Sequence, residues 1–213
     1  MTPVYPGSVT AILVVCSGNL CRSPLAEGIL RRMLTERFGA SAPPVSSVGT
    51  VARDGEPPTP EAIVVASEHG IDASSHTARR LVREHLAEAD LVLAMTAEHR
   101  DAVARVDPQA TTKTFTLKEL VRLLEDLPAP EEGRASLSRR IAEADAHRRG
   151  GFAGNPHDED VADPIGHPVE TYRAVAWEIA AWSERSVEAL FGATPPVAAA
   201  ERPSRAGGSA ATP

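Results

Sequence analysis

The nine residues Cys16-Ser17-Gly18-Asn19-Leu20-Cys21-Arg22-Ser23-Pro24 constrain this chain more than any other stretch. Before them runs Ala11-Ile12-Leu13-Val14-Val15, a short apolar segment rich in β-branched residues and preceded by Gly7-Ser8. Such a run predicts a buried strand. After them Leu25, Ile29, Leu30, Met33 and Leu34 recur at helical spacing, and Pro24 suits a first helical turn. The nine residues therefore lead from the end of a strand to the start of a helix, which is where open α/β sheets bind ligands.

A turn of this kind makes a cradle for an anion. Its backbone N–H groups wrap around Gly18 and end at a helix N-terminus, where the partial charges favour a negative guest. Arg22, separated from Cys16 by five residues, can bring a planar fork to the same anion. Cys16, surrounded by these donors, is expected to sit there as a thiolate near neutral pH. A thiolate on the floor of a phosphate-shaped cradle is a nucleophile aimed at phosphorus. Ser23 can donate to the Cys16 sulfur and steady it as a leaving group, and Asn19 can tie the loop's own backbone together.

Cys-x5-Arg-Ser-Pro after a first strand resembles the low-molecular-weight protein tyrosine phosphatases and the related bacterial protein arginine phosphatases. A second match lies far along the chain, Asp163-Pro164-Ile165-Gly166. Ser47-Val48-Gly49-Thr50, and Gly70-Ile71-Asp72 through His76, Ala78 and Arg79, resemble further family segments. The likeness covers roughly residues 9 to 128 and 160 to 191. It implies Cys16 as nucleophile, Arg22 as phosphate clamp and Asp163 as general acid. Ser17, Gly18, Asn19, Leu20, Cys21, Ser23 and Ser47 are implied as the phosphate loop and its support, with Thr50 and Ile165 on the substrate wall. Asp160 is a second candidate acid but lacks the following proline. Cys21 reads either as a neutral packing residue or as a thiol that traps oxidised Cys16 in a reversible disulfide.

The expected reaction is two-step phosphoryl transfer. Cys16 attacks a phosphomonoester to give a phosphocysteine, while Arg22 and the loop N–H groups hold the equatorial oxygens. Asp163 protonates the leaving oxygen and then takes a proton from the hydrolytic water. No cofactor and no metal are expected, since the cradle supplies the positive field. His69, His76 and His167 lack metal-ligand spacing, and the histidines and cysteines together form no zinc pattern.

A net charge of −7 argues against nucleic acid or a membrane surface as partner. Only two cysteines occur, both in the loop, so no disulfide framework of the secreted kind exists and the reducing cytoplasm is the expected compartment. Leu13-Val14-Val15-Cys16 superficially resembles the end of a lipoprotein signal. However, residues 1 to 10 carry no Lys or Arg and the apolar run is too short. No stretch approaches the length of a membrane span.

Taken in order, the chain predicts strands over 45–48, 90–95 and 113–116, and helices from Thr59-Pro60-Glu61 to about His69, from Thr96 to about Val106, and from Leu117 to Leu127. Strands alternating with helices imply parallel pairing. The expected fold is a three-layer, doubly wound α/β domain spanning residues 1–192, with a central four-stranded parallel sheet and helices on both faces. Residues 129–159 break the rhythm and read as a charged, solvated insertion beside the site, with a polar helix over 134–149. A last helix, Val169 to Phe191, puts Tyr172, Val175, Ala176, Ile179, Trp182 and Leu190 on one apolar side. Residues 193–213, rich in Ala, Pro, Gly and Ser, read as a disordered tail.

Tyrosine-directed members of the family commonly carry aromatic walls, whereas here Val51-Ala52-Arg53 follows Thr50 and Ile165 follows Asp163-Pro164. In the arginine-directed branch a Thr in the cradle favours phosphoarginine, and this chain has apolar Leu20 there. Phosphotyrosine on a protein, or a small aryl phosphate, is therefore the first expectation, with protein phosphoarginine as the alternative. Two rivals are a thiol-dependent arsenate reductase, for which no relay cysteine follows Cys21, and a silent phosphoanion-binding module, which would not need Cys16, Arg22 and Asp163 together. The oligomeric state is not legible.

Overall fold

The computed structural model describes residues 11–130, 137–151 and 156–192. Four strands form one parallel sheet: β1 (Ile12–Cys16), β2 (Val45–Gly49), β3 (Leu91–Ala94) and β4 (Thr114–Thr116), in spatial order β2-β1-β3-β4. Seven helices are described: α1 (Arg22–Phe38), α2 (Pro60–Glu68), α3 (Arg83–Glu88), α4 (Ala97–Val106), α5 (Leu117–Glu125), α6 (Leu137–Arg149) and α7 (Val169–Phe191). The expected architecture is the one observed.

Alternation along the strands divides the interior in two. Ile12, Val14, Leu91, Leu93 and Phe115 point into the larger core with α1, α5 and α7, where Leu25, Ile29, Leu30, Leu120, Tyr172, Val175 and Ile179 are buried. Leu13, Val15, Val48 and Val92 point the other way, onto α3 and α4 through Leu86 and Val103. Because β1 is paired on both sides, its carboxyl end opens at the point where the strand order reverses.

Caps start the helices where the sequence predicts them. Thr59, Thr96 and Thr116 each accept a backbone N–H of their helix's first turn, and Glu119 returns a bond to the Thr116 N–H. The short helix α3 was not anticipated; six residues carry too little periodicity to register.

The charged segment after α5 differs from expectation. Over 137–149 it is a helix, but α6 is not a solvated excursion beside the loop; it packs against the turn over Pro108–Lys113 that leads into β4 and against α5 and α7. Arg140, 4% exposed, donates to the carbonyls of Leu124, Pro128 and Ala189. Arg148 donates to the Thr111 and Thr114 carbonyls and lies 4.4 Å from the centroid of Phe115. Arg140 and Arg148 of α6 therefore satisfy backbone oxygens that the packing brings to them. The expected tail over 193–213 lies outside the described residues.

Candidate active site

The loop between β1 and α1 is held from below by side chains. Asn19 is the one non-glycine residue with positive φ among those described, at 57°. Asn tolerates the left-handed region better than most residues, and here its side chain fixes the turn. Its Nδ2 donates to Ser23 Oγ at 2.9 Å and to Ser47 Oγ at 2.8 Å, and its Oδ1 accepts the Arg79 backbone N–H at 2.9 Å. Ser47 in turn donates to Glu27 Oε2 at 2.6 Å, and His76 Nε2 bonds the Asn19 carbonyl at 3.1 Å. Gly49 passes so close beneath that a Cβ there would stand 2.4 Å from the Ser17 carbonyl oxygen and 2.8 Å from Asn19 N. Only glycine fits this approach.

Cys16 ends β1 and is 1% exposed. Its Sγ lies 2.9 Å from Ser23 Oγ and 3.3 Å from the Asn19 N–H. Since Ser23 Oγ already accepts from Asn19, its own proton is left to donate, to sulfur at 2.9 Å or to the Val48 carbonyl at the longer 3.5 Å. The Cys16 carbonyl accepts from Thr50 N, and that of Leu20 from Thr59 N, so the loop is tied at both ends.

Arg22 opens α1 and is buried. Its Nη1 donates to the Val161 carbonyl at 3.1 Å, and its Nη2 to Ser17 Oγ at 3.3 Å and to the Asp163 carboxylate. Its Nε is buried and has no hydrogen-bond partner among the described residues. Asp163 is 141 residues away in sequence, yet its carboxylate reaches Arg22 while its side chain remains 42% exposed. The segment bearing it is pinned just upstream, where Val161 N donates to the Met95 carbonyl and Lys118 Nζ to the Asp160 carbonyl. Asp160, the other candidate acid, caps α4 by accepting the Ala97 N–H at 2.7 Å, so its carboxylate is committed to a helix terminus.

Cys21 is buried under the loop with Sγ 4.0 Å from Asp163 Oδ1. Burial first, and then the nearby Cys16 and Asp163, push its thiol up to about 12. It is therefore protonated at neutral pH, as a packing residue would be. Ile165 and Val51 are exposed at the rim, where aromatic walls were noted as missing, and the Thr50 side chain is half-buried beside them. Among the described residues, no three His, Cys, Asp or Glu side chains gather as a metal site, and no helix is long and apolar enough to cross a membrane.

Sequence reasoning missed His99, Glu27 and Val161. His99 Nε2 lies 2.8 Å from Ser17 Oγ and its Nδ1 2.8 Å from Thr96 Oγ1. Burial, assisted by the Arg22 charge, pushes its imidazole down to about 4. A signal was available, because Thr96 was read as a cap and His99 is the residue three positions on, where a capping-box side chain stands.

Residues 11–147 match the family model described as low molecular weight phosphotyrosine protein phosphatase. The chain is 34% identical to a protein-arginine-phosphatase of Geobacillus stearothermophilus over 179 residues, which is 84% of this chain and 95% of the relative. Among solved structures, the YwlE arginine phosphatase of the same organism aligns with a TM-score of 0.62 at 33% identity, covering 84% of this chain and 91% of that one. A low molecular weight protein tyrosine phosphatase from T. tengcongensis aligns with a TM-score of 0.63 at 33% identity, covering 84% and 98%.

Proposed function

Because the chain belongs to the low molecular weight phosphotyrosine protein phosphatase family, a family of cysteine-based hydrolases, we propose that Cys16, Arg22 and Asp163 carry out its phosphomonoester hydrolysis. The observation that supports this most is their convergence: the Cys16 sulfur under two donors, and one guanidinium shared between the loop and a carboxylate from a distant segment.

In the first step the Cys16 thiolate attacks phosphorus in line with the leaving oxygen. A P–S bond forms as the P–O bond breaks, and protonated Asp163 gives its proton to that oxygen. The charge on the equatorial oxygens falls on loop N–H groups and on Arg22, whose unpartnered Nε supplies one arm of a bidentate contact. An arriving phosphoryl group competes with Asp163 for Arg22 and so frees the carboxyl group to move over the leaving atom. In the second step Asp163 removes a proton from water, water oxygen bonds to phosphorus, and Cys16 leaves as a thiolate stabilised by Ser23 and Asn19.

The substrate we propose is protein phosphotyrosine or an aryl phosphate, with apolar Leu20 in the cradle as the supporting residue. A second reading, protein phosphoarginine, is favoured by the likeness to the Geobacillus enzyme and by a rim of Val51 and Ile165 that offers no ring to a phenol. The proposed place of action is the cytoplasm, in keeping with two cysteines that both serve the loop. A panel of phosphotyrosine peptide, phosphoarginine peptide, 4-nitrophenyl phosphate and arsenate, run on wild type and Cys16→Ser, tests the nucleophile and the substrate. Turnover of aryl phosphates that vanishes in the variant is expected. Much faster hydrolysis of phosphoarginine would transfer the assignment to the second reading.

A further inference from the structure

Ser17 and His99 join across the sheet at the place where its winding reverses. Ser17 follows β1 and His99 stands in the first turn of α4, which follows β3, and β1 and β3 are paired neighbours. His99 is 3% exposed and is held at both ring nitrogens, by Thr96 Oγ1 and by Ser17 Oγ, each at 2.8 Å. Thr96 Oγ1 also accepts the His99 backbone N–H at 3.3 Å, so the helix cap and the ring are built on one hydroxyl.

One bond of this chain has a fixed direction. Arg22 has donors only, so its Nη2 N–H fills one lone pair of Ser17 Oγ, whichever nitrogen of His99 carries the ring proton. The other bond that the described residues give the Ser17 hydroxyl is the one to His99. Arg22 therefore rests on three acceptors: the Val161 carbonyl, the Asp163 carboxylate and Ser17. The proposed reaction takes Asp163 away from Arg22 whenever a proton is delivered. Ser17 is then the remaining acceptor for Nη2 among these three.

On that reading of the site, we propose that His99 is a positioning residue. By holding Ser17 Oγ against Arg22 Nη2, it keeps the guanidinium turned so that Nε–H and the second Nη2–H face the phosphoryl group while Asp163 is engaged elsewhere. The loop motif does not account for this contact, since His99 lies 82 residues from Ser17 on a different helix.

Five proteins test it: wild type, His99→Leu, His99→Gln, Ser17→Ala and the His99→Leu/Ser17→Ala double variant. The readouts are kcat and KM on 4-nitrophenyl phosphate and the inhibition constant of orthovanadate. His99→Leu and Ser17→Ala should each lower kcat and weaken vanadate inhibition by about tenfold, with the double variant no worse than either, as expected of groups acting as one unit. His99→Gln, whose carboxamide can meet Ser17, should recover most of the loss. Ser17→Ala leaves α4 intact and reads the same bridge if His99→Leu does not fold. Losses that multiply, or wild-type vanadate inhibition in His99→Leu, would overturn the assignment. A wild type that binds vanadate but turns over no phosphomonoester would remove the phosphatase reading instead, and vanadate affinity across the same proteins would still decide the role of His99.

Discussion

The underside of the loop and its mouth are built on opposite terms. Beneath, Asn19, Ser23, Ser47, Glu27, His76 and Arg79 form a linked set of hydrogen bonds in which Asn19, Ser23 and Ser47 are fully buried. At the mouth, Asp163 is 42% exposed on an ion pair, while Ile165 and Val51 face solvent. The difference suits the proposed chemistry: negative charge would develop against the loop, which gains from fixed dipoles, whereas the proton would have to travel, which requires a carboxyl group able to leave its partner.

Changes below should therefore be felt by both turnover and stability, and changes above by turnover or selectivity alone. The largest effect is expected where the two regions meet. Arg22→Lys keeps the charge but loses the fork, and kcat should fall by about 10²–10³ in a steady-state assay; a loss of less than tenfold would mean that charge alone suffices. Next, Asn19→Ala removes three side-chain bonds and leaves Ser47 and the Arg79 N–H short of a partner. Chemical denaturation should show a loss of about 2–3 kcal/mol alongside reduced turnover.

A subtler difference involves acid. His99 is ordinarily near 6.5 and is pushed down to about 4 in the fold. Above pH 6.5 the ring is neutral in both folded and unfolded chains and contributes nothing to pH dependence. As pH falls from 6.5 towards 4 the unfolded chain takes up the proton first, so stability is lost through that window. Denaturation curves of His99→Gln should lose less stability there than wild type; parallel curves would refute the buried neutral ring. The smallest effect belongs to the rim. Ile165→Tyr restores a ring beside the acid and should raise kcat/KM for aryl phosphates by about tenfold at most, with the melting temperature unchanged because Ile165 is exposed.

The same contrast separates the residues whose place is written in the sequence from those placed only by packing. The meeting of Cys16, Arg22 and Asp163 at one place was legible because each stands in a short motif, Cys-x5-Arg-Ser-Pro or Asp-Pro. The strands were legible because each is a brief apolar run between turn residues. Glu27 and His99 were not, since each sits within a helix as one polar residue among many and acquires its role from a partner on another element. Helix α6 looked solvated for a related reason. Its arginines are charged in sequence, but their acceptors are carbonyls at the ends of α5 and α7 and along β4, which only the packing brings within reach.

The central claim is that a phosphoryl group passes through the sulfur of Cys16 and that Asp163 moves the protons. The most direct measurement is acid-quenched mass spectrometry of Asp163→Asn during turnover of 4-nitrophenyl phosphate. That leaving group departs with little help, whereas hydrolysis of the intermediate still needs a base. A phosphoryl adduct should accumulate on the peptide containing Cys16 and be absent from Cys16→Ser. Undiminished turnover by Asp163→Asn with no adduct on that peptide would contradict the account.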